Sequence, residues 1–224
     1  MTLAVIHTIV HSTCADCGYL MIYSLLVARA TIGTAALALA ALVLLHFLKP
    51  EVSPSRNMIS QYALGKHGWV MALCFAAFGI ASACLFTVLA ARLFSVPGRI
   101  GLAFLLAASI GLVLAARFRM DPVSTPPERR SFAGKMHGVS FLIGVPSQIL
   151  ATLFVSLAVG NWGLIVLTAI IWLSLAAMIT VMLKVGPGKE SDPAGPERFL
   201  GLPNRLFMVG YGVWLMIAAW PLAR

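Results

Sequence analysis

A carboxylate, an imidazole and a hydroxyl, Asp121, His137 and Ser60, lie in three stretches that folding can bring to one end of a helix bundle. Together these residue types can do acid–base and acyl-transfer chemistry. An Asp that orients a His makes the imidazole a general base, and the Ser60 hydroxyl or a water then serves as nucleophile. A triad is recognised by geometry and not by chain order, so the sequence offers a constellation and no more. Tyr62, Arg117, Arg119 and Arg205 are the accompanying candidates for ligand binding; guanidinium groups beside a polar cluster suit a phosphate-bearing partner. Each residue also has a structural use. Asp121-Pro122 can end a helix with its carboxylate paired to Arg117 or Arg119. His137 can sit at headgroup level, Arg205 can snorkel to phosphates, and Ser60 can cap a turn.

A second group, His7, His11, Cys14 and Cys17, has the ligand types that zinc prefers. On a continuous helix a rise of 1.5 Å per residue strings them over about 15 Å. One ion cannot be held by all four, which leaves a two-ligand half-site shared with another subunit; no metal is assigned. Cys74 and Cys84 fall inside one apolar run and read as small buried hydrophobes, with no disulfide framework.

The elements that must position these groups are membrane spans. At 224 residues, 60% hydrophobic and 10% charged, the chain departs far from the soluble average of about 45–50% apolar and about 25% charged. Apolar runs at 32–48, 69–91, 100–116, 138–159, 164–183 and 206–222 each have roughly the length that crosses a bilayer. The expected fold is all-α: a polytopic transmembrane bundle of six spans, one domain over 29–224, preceded by an apolar segment at 1–28. That segment lacks the basic start and cleavage site of a secretory signal, and reads as an interfacial helix or as an extension upstream of a start at Met21. In the third run Ala103, Ala107, Gly111 and Ala115 recur every four residues, which predicts a central, closely packed helix. Pro146 interrupts the fourth, and Ser147 or Gln148 is expected to stitch the freed carbonyl. The stretch 186–198 has the composition of a solvated linker.

With six spans, twelve of the 16 basic residues fall beside the loops that follow spans one, three and five. The positive-inside rule then puts those loops in the cytoplasm and both termini outside, in a plasma membrane. The net charge of +9 suits anionic headgroups. Nucleic acid is excluded as a partner, because no basic soluble domain exists to bind it.

Several of these residues form a familiar order. Ile59-Ser60-Gln61-Tyr62-Ala63-Leu64-Gly65 with Gly68-Trp69, then Phe118-Arg119-Met120-Asp121-Pro122, then His137, then Gly201-Leu202-Pro203-Asn204-Arg205 together resemble the bacterial domain of unknown function 998 family, DUF998. The resemblance covers about 30–222. It implies an integral membrane protein of about six helices, distantly similar to the Frag1/DRAM/Sfk1 proteins, with no established activity. Gln61 stands where the family pattern has an acidic residue, and Arg119-Met120 where it has Pro-x, which weakens any role that needs a carboxylate at 61.

The function expected from this reading is a membrane protein whose polar cytoplasmic-face site binds a lipid headgroup or small anion. A membrane-embedded hydrolase or transferase acting on lipid through Ser60, Asp121 and His137 is the alternative. A proton-coupled transporter comes third, since no span contains Asp or Glu. No cofactor is expected. Haem would need paired histidines, and His46 and His137 have no supporting second pair.

Overall fold

A computed structural model of the chain describes residues 2–185 and 199–224, with the side chains of 2–17, 19, 20 and 185 excluded. The metal-type residues His7, His11, Cys14 and Cys17 and the expected linker at 186–198 therefore lie outside the described residues. Six helices carry the fold: α1 (Thr2–Leu48), α2 (Gly68–Ala90), α3 (Val96–Arg117), α4 (Phe132–Val159), α5 (Trp162–Val185) and α6 (Gly201–Ala219). There is no strand among the described residues. All six helices are long and apolar enough to cross a membrane, the first over Met21–Leu48, so the protein is an all-helical, multi-pass membrane protein.

The helix ends are where local chemistry predicts them. Ser95 opens α3 by accepting from the Gly98 N–H at 3.3 Å, and Ser131 opens α4 by accepting from Gly134 at 3.0 Å, each satisfying a donor that has no partner inside the helix. Gly160 ends α4 at φ 68°, a left-handed turn that costs glycine nothing. Against the sequence reading, α3, α4 and α6 begin at 96, 132 and 201, ahead of the apolar runs at 100, 138 and 206, and two further positions differ. The first apolar helix begins before residue 32, because Arg29 does not end it: its Nε donates to the Ala223 carbonyl at 3.3 Å, beside the chain's C-terminus. Pro146 lies within a continuous α4, yet neither Ser147 nor Gln148 bonds a backbone carbonyl to stitch it.

Packing sorts the helices into a core and a periphery. The most buried spans are α2 and α6, and α5 is the most exposed. Between them Tyr211 stacks on Trp214, and the Tyr211 and Ser82 hydroxyls pair at 2.8 Å. The most extensive contact joins α3 to α4, where a Cβ on Gly111 would lie 2.5 Å from the Gly144 Cα. The close approach expected of α3 is present at Gly111, a member of the stripe that predicted it, but the stripe does not follow the contact along its whole length. Ala103 is exposed, while Gly101, Ala108 and Gly111 are buried. The reason is angular: four residues advance a helix by about 400°, so such a stripe drifts about 40° per step away from a straight contact line.

Candidate functional site

The segment between α1 and α2 folds over the end of the bundle as a cap. Its centre is a 3-10 turn, Ile59–Ala63, and almost every polar group around it is used to hold it down. From α6, the Asn204 Oδ1 accepts from the Ile59 N–H at 2.8 Å. The Gly201 N–H donates to the Ser55 carbonyl at 2.7 Å. Within the segment the Asn57 amide donates to the Gln61 Oε1 at 2.6 Å. Just past the end of α1, the buried Lys49 ammonium donates to the Tyr62 carbonyl at 3.2 Å and to that of Leu64, with Glu51 at 3.9 Å. The turn into α2 then needs left-handed backbone at Gly65 and His67, φ 69° and 60°.

Arg205 is the hub of this cap. It is buried, and its Nε donates to the His46 Nε2 at 3.1 Å. One terminal nitrogen donates to the Asn57 carbonyl at 2.6 Å and the Gly201 carbonyl at 3.2 Å; the other reaches the Tyr62 hydroxyl at 3.0 Å. The guanidinium also lies 5.4 Å from the centroid of the Tyr62 ring, within cation–π range. His46 is set for this role, since its Nδ1 is 2.7 Å from the Leu42 carbonyl. A carbonyl only accepts, so Nδ1 carries the proton and Nε2 is left to accept from Arg205. No carboxylate pairs with Arg205 among the described residues, so its charge is solvated by carbonyls, a phenol and an imidazole. It does not snorkel to the surface.

Beneath the cap is a cavity of about 60 Å³ between α2, α3, α4 and α6. Ser60, His137, Ser140, Gln148 and Asn204 line it, among apolar neighbours that include Phe75, Leu112, Phe141 and Phe207. A mostly apolar cleft with a few convergent polar groups is the usual form of a small-molecule site. His137 is oriented by backbone: its Nδ1 is 2.9 Å from the Phe118 carbonyl, so Nδ1 donates and Nε2 is the nitrogen without a partner among the described residues. The Phe75 ring lies 6.3 Å from it. Gln148 is 1% exposed, yet its amide Nε2 has no hydrogen-bond partner among the described residues. A buried donor left unpaired costs about 1–3 kcal/mol, a cost the fold carries beside the cavity.

The sequence candidates divide on this geometry. Ser60 and His137 line the same cavity. Tyr62 and Arg205 are joined in the cap beside it, and Asn204 belongs to both cap and cavity. Asp121 is engaged elsewhere: its two oxygens accept from the Ser131 N–H at 2.7 Å and the Ser131 hydroxyl at 2.8 Å, across the N-terminus of α4, where a carboxylate meets the positive end of the helix dipole. The Phe118 carbonyl, and not Asp121, therefore holds the His137 ring. Arg117 and Arg119 are exposed, with Arg117 over the Phe118 ring at 5.6 Å and neither one paired to Asp121. Three members of the site go beyond the sequence assignment. Gln148 carries a signal that sequence reasoning read as a kink repair, namely a lone amide in an apolar span. His46 and Lys49 carry none, since basic residues at a helix end are ordinary in a membrane protein.

A family model described as protein of unknown function (DUF998) matches residues 32–221. No curated protein matches the chain, and no solved structure does.

Proposed function

The chain belongs to the DUF998 family, membrane proteins of unknown function, and for this member we propose that the capped cavity binds the headgroup of a lipid or a small anion. The observation that carries the reading is the meeting of Ser60, His137 and Asn204 around one cavity that has no acidic residue in its lining. Arg205, a buried cation without a carboxylate partner among the described residues, stands directly behind the cap. Partial positive charge from the starts of α2, α4 and α6, which open toward this end, adds to the same field. The basic residues clustered in the loops at that end support a cytoplasmic mouth in the plasma membrane.

A lipid hydrolase or transferase is the second reading, favoured by Ser60 and His137 lining one cavity. It is the weaker of the two on chemical grounds. The Phe118 carbonyl fixes the tautomer of His137 but lacks the full negative charge that a carboxylate offers to a developing imidazolium.

Native mass spectrometry of the detergent-purified protein tests the binding reading. Wild type is expected to carry a specific phospholipid that His137→Ala loses and Asp121→Asn keeps. A spectrum unchanged by His137→Ala in a folded protein would refute it.

A further inference from the structure

The contact between Arg205 and His46 joins two groups that are compatible in only one protonation state. His46 spends its Nδ1 proton on the Leu42 carbonyl at 2.7 Å, so the Nε2 lone pair accepts from the Arg205 Nε at 3.1 Å. A proton on Nε2 would set N–H against N–H and one cation against another. Turning the ring over brings no relief, because both nitrogens of an imidazolium donate, and Arg205 does not give up its own proton. We infer that His46 is an acid-sensitive latch: its protonation displaces Arg205, frees the cap and opens the cavity beneath. The consequence for a ligand rests on the headgroup reading, whereas the latch itself does not.

The step from one bond to the whole cap follows from what else Arg205 holds. Its terminal nitrogens grip the cap through the Asn57 carbonyl at 2.6 Å and the Tyr62 hydroxyl at 3.0 Å, so displacing the guanidinium loosens both. The cap supplies Met58, Ile59 and Ser60 to the cavity wall, and its movement uncovers the space. His46 is half-buried in the last turn of α1, where protons from the aqueous side can reach it. No group around it neutralises the added charge. Tyr62 faces it from the cap, ring centroids 5.5 Å apart, with its hydroxyl 3.5 Å from the Val52 carbonyl. Lys49, just past the end of α1, is itself a cation, and Arg205 is the sole charged residue of α6. The α2 helix brings no charged residue, and its Cys74 thiol meets α1 at the Ala38 carbonyl, about two turns away. Arg56, Lys66 and His67 of the cap are basic, and Glu51, its one carboxylate, sits 3.9 Å from the Lys49 ammonium.

Hydrogen exchange of the full-length protein in nanodiscs tests the latch. It is read at the hydrogen-bonded Ile59, Gln61 and Leu64 amides as a ratio to amides of α3, which cancels the intrinsic effect of pH on exchange. From about pH 8 to about pH 5, the range in which histidine changes charge, protection of the cap is expected to fall about tenfold, the effect of losing one buried hydrogen bond. His46→Gln offers Arg205 an amide oxygen and does not titrate, so its cap should stay protected at both pH values. Tyr62→Phe, which removes one bond that holds the cap shut, should move the loosening to higher pH; the wild-type titration stands without either variant. A wild-type cap equally protected at both pH values, or a loss that persists in His46→Gln, would overturn the inference. Native mass spectra at the same two pH values separate the latch from the headgroup reading. A cap that loosens in acid, in a protein that carries no phospholipid at either pH, would uphold the latch and remove the headgroup site.

Discussion

Buried without a carboxylate partner among the described residues, the Arg205 guanidinium places its donors on four acceptors arranged in the fork that only arginine matches. Lysine presents a single point charge and cannot reach His46, Asn57 and Tyr62 together. Arg205→Lys is therefore expected to cost about 2–4 kcal/mol, since several buried acceptors lose their donors at once; thermal unfolding in detergent measures it. Asp121 predicts a smaller and more local effect. Asn keeps one acceptor but turns an N–H toward Ser131, so Asp121→Asn should cost about 0.5–2 kcal/mol. Hydrogen exchange should rise at Gly134 and Lys135 in the first turn of α4, with the cavity intact. Sequence alone could name Asp121 and His137 as a pair of suitable types. It could not tell that the nearest acceptor to His137 would be the Phe118 carbonyl, because backbone acceptors carry no residue identity.

At the scale of elements, the α3–α4 contact makes an asymmetric prediction. A Cβ on Gly111 would lie 2.5 Å from the Gly144 Cα, whereas one on Gly144 would meet its nearest atom outside its own helix, the Gly111 Cα, at 3.6 Å. Backbone cannot yield as a side chain does, so Gly111→Ala should destabilise by about 1–3 kcal/mol through overpacking. Gly144→Ala should melt close to wild type. Both glycines line the cavity, so Gly111→Ala is also expected to weaken ligand binding as α3 and α4 separate. The helices themselves were legible from apolar length, whereas α3, α4 and α6 begin several residues before the apolar runs at 100, 138 and 206, because their first turns hold polar and small residues. The face each helix turns inward was less so, because a span with lipid on one side and protein on the other is apolar all round. That is why Ala103 was expected in a contact that Gly101 and Gly111 make.

For the whole molecule, the twelve-to-four division of basic residues predicts orientation. With the four native cysteines replaced, Arg99→Cys should react with an impermeant maleimide in intact cells and Arg130→Cys only after permeabilisation; the reverse pattern would turn the protein over. Membrane residence, the number of spans and the gathering of Ser60, His137 and Arg205 at one end were determined by the sequence alone, since apolar length and loop order leave few other arrangements. Only the tertiary structure decided which of those groups touch. A helix advances 100° per residue, and the segment between α1 and α2 has no periodicity, so its cap depends on long-range bonds from Lys49, Asn204 and Arg205 that no local pattern announces. Tertiary contacts likewise turn Asp121 to Ser131 and His137 to the Phe118 carbonyl, join Arg205 to His46 and Tyr62, and leave the Gln148 amide nitrogen without a partner among the described residues.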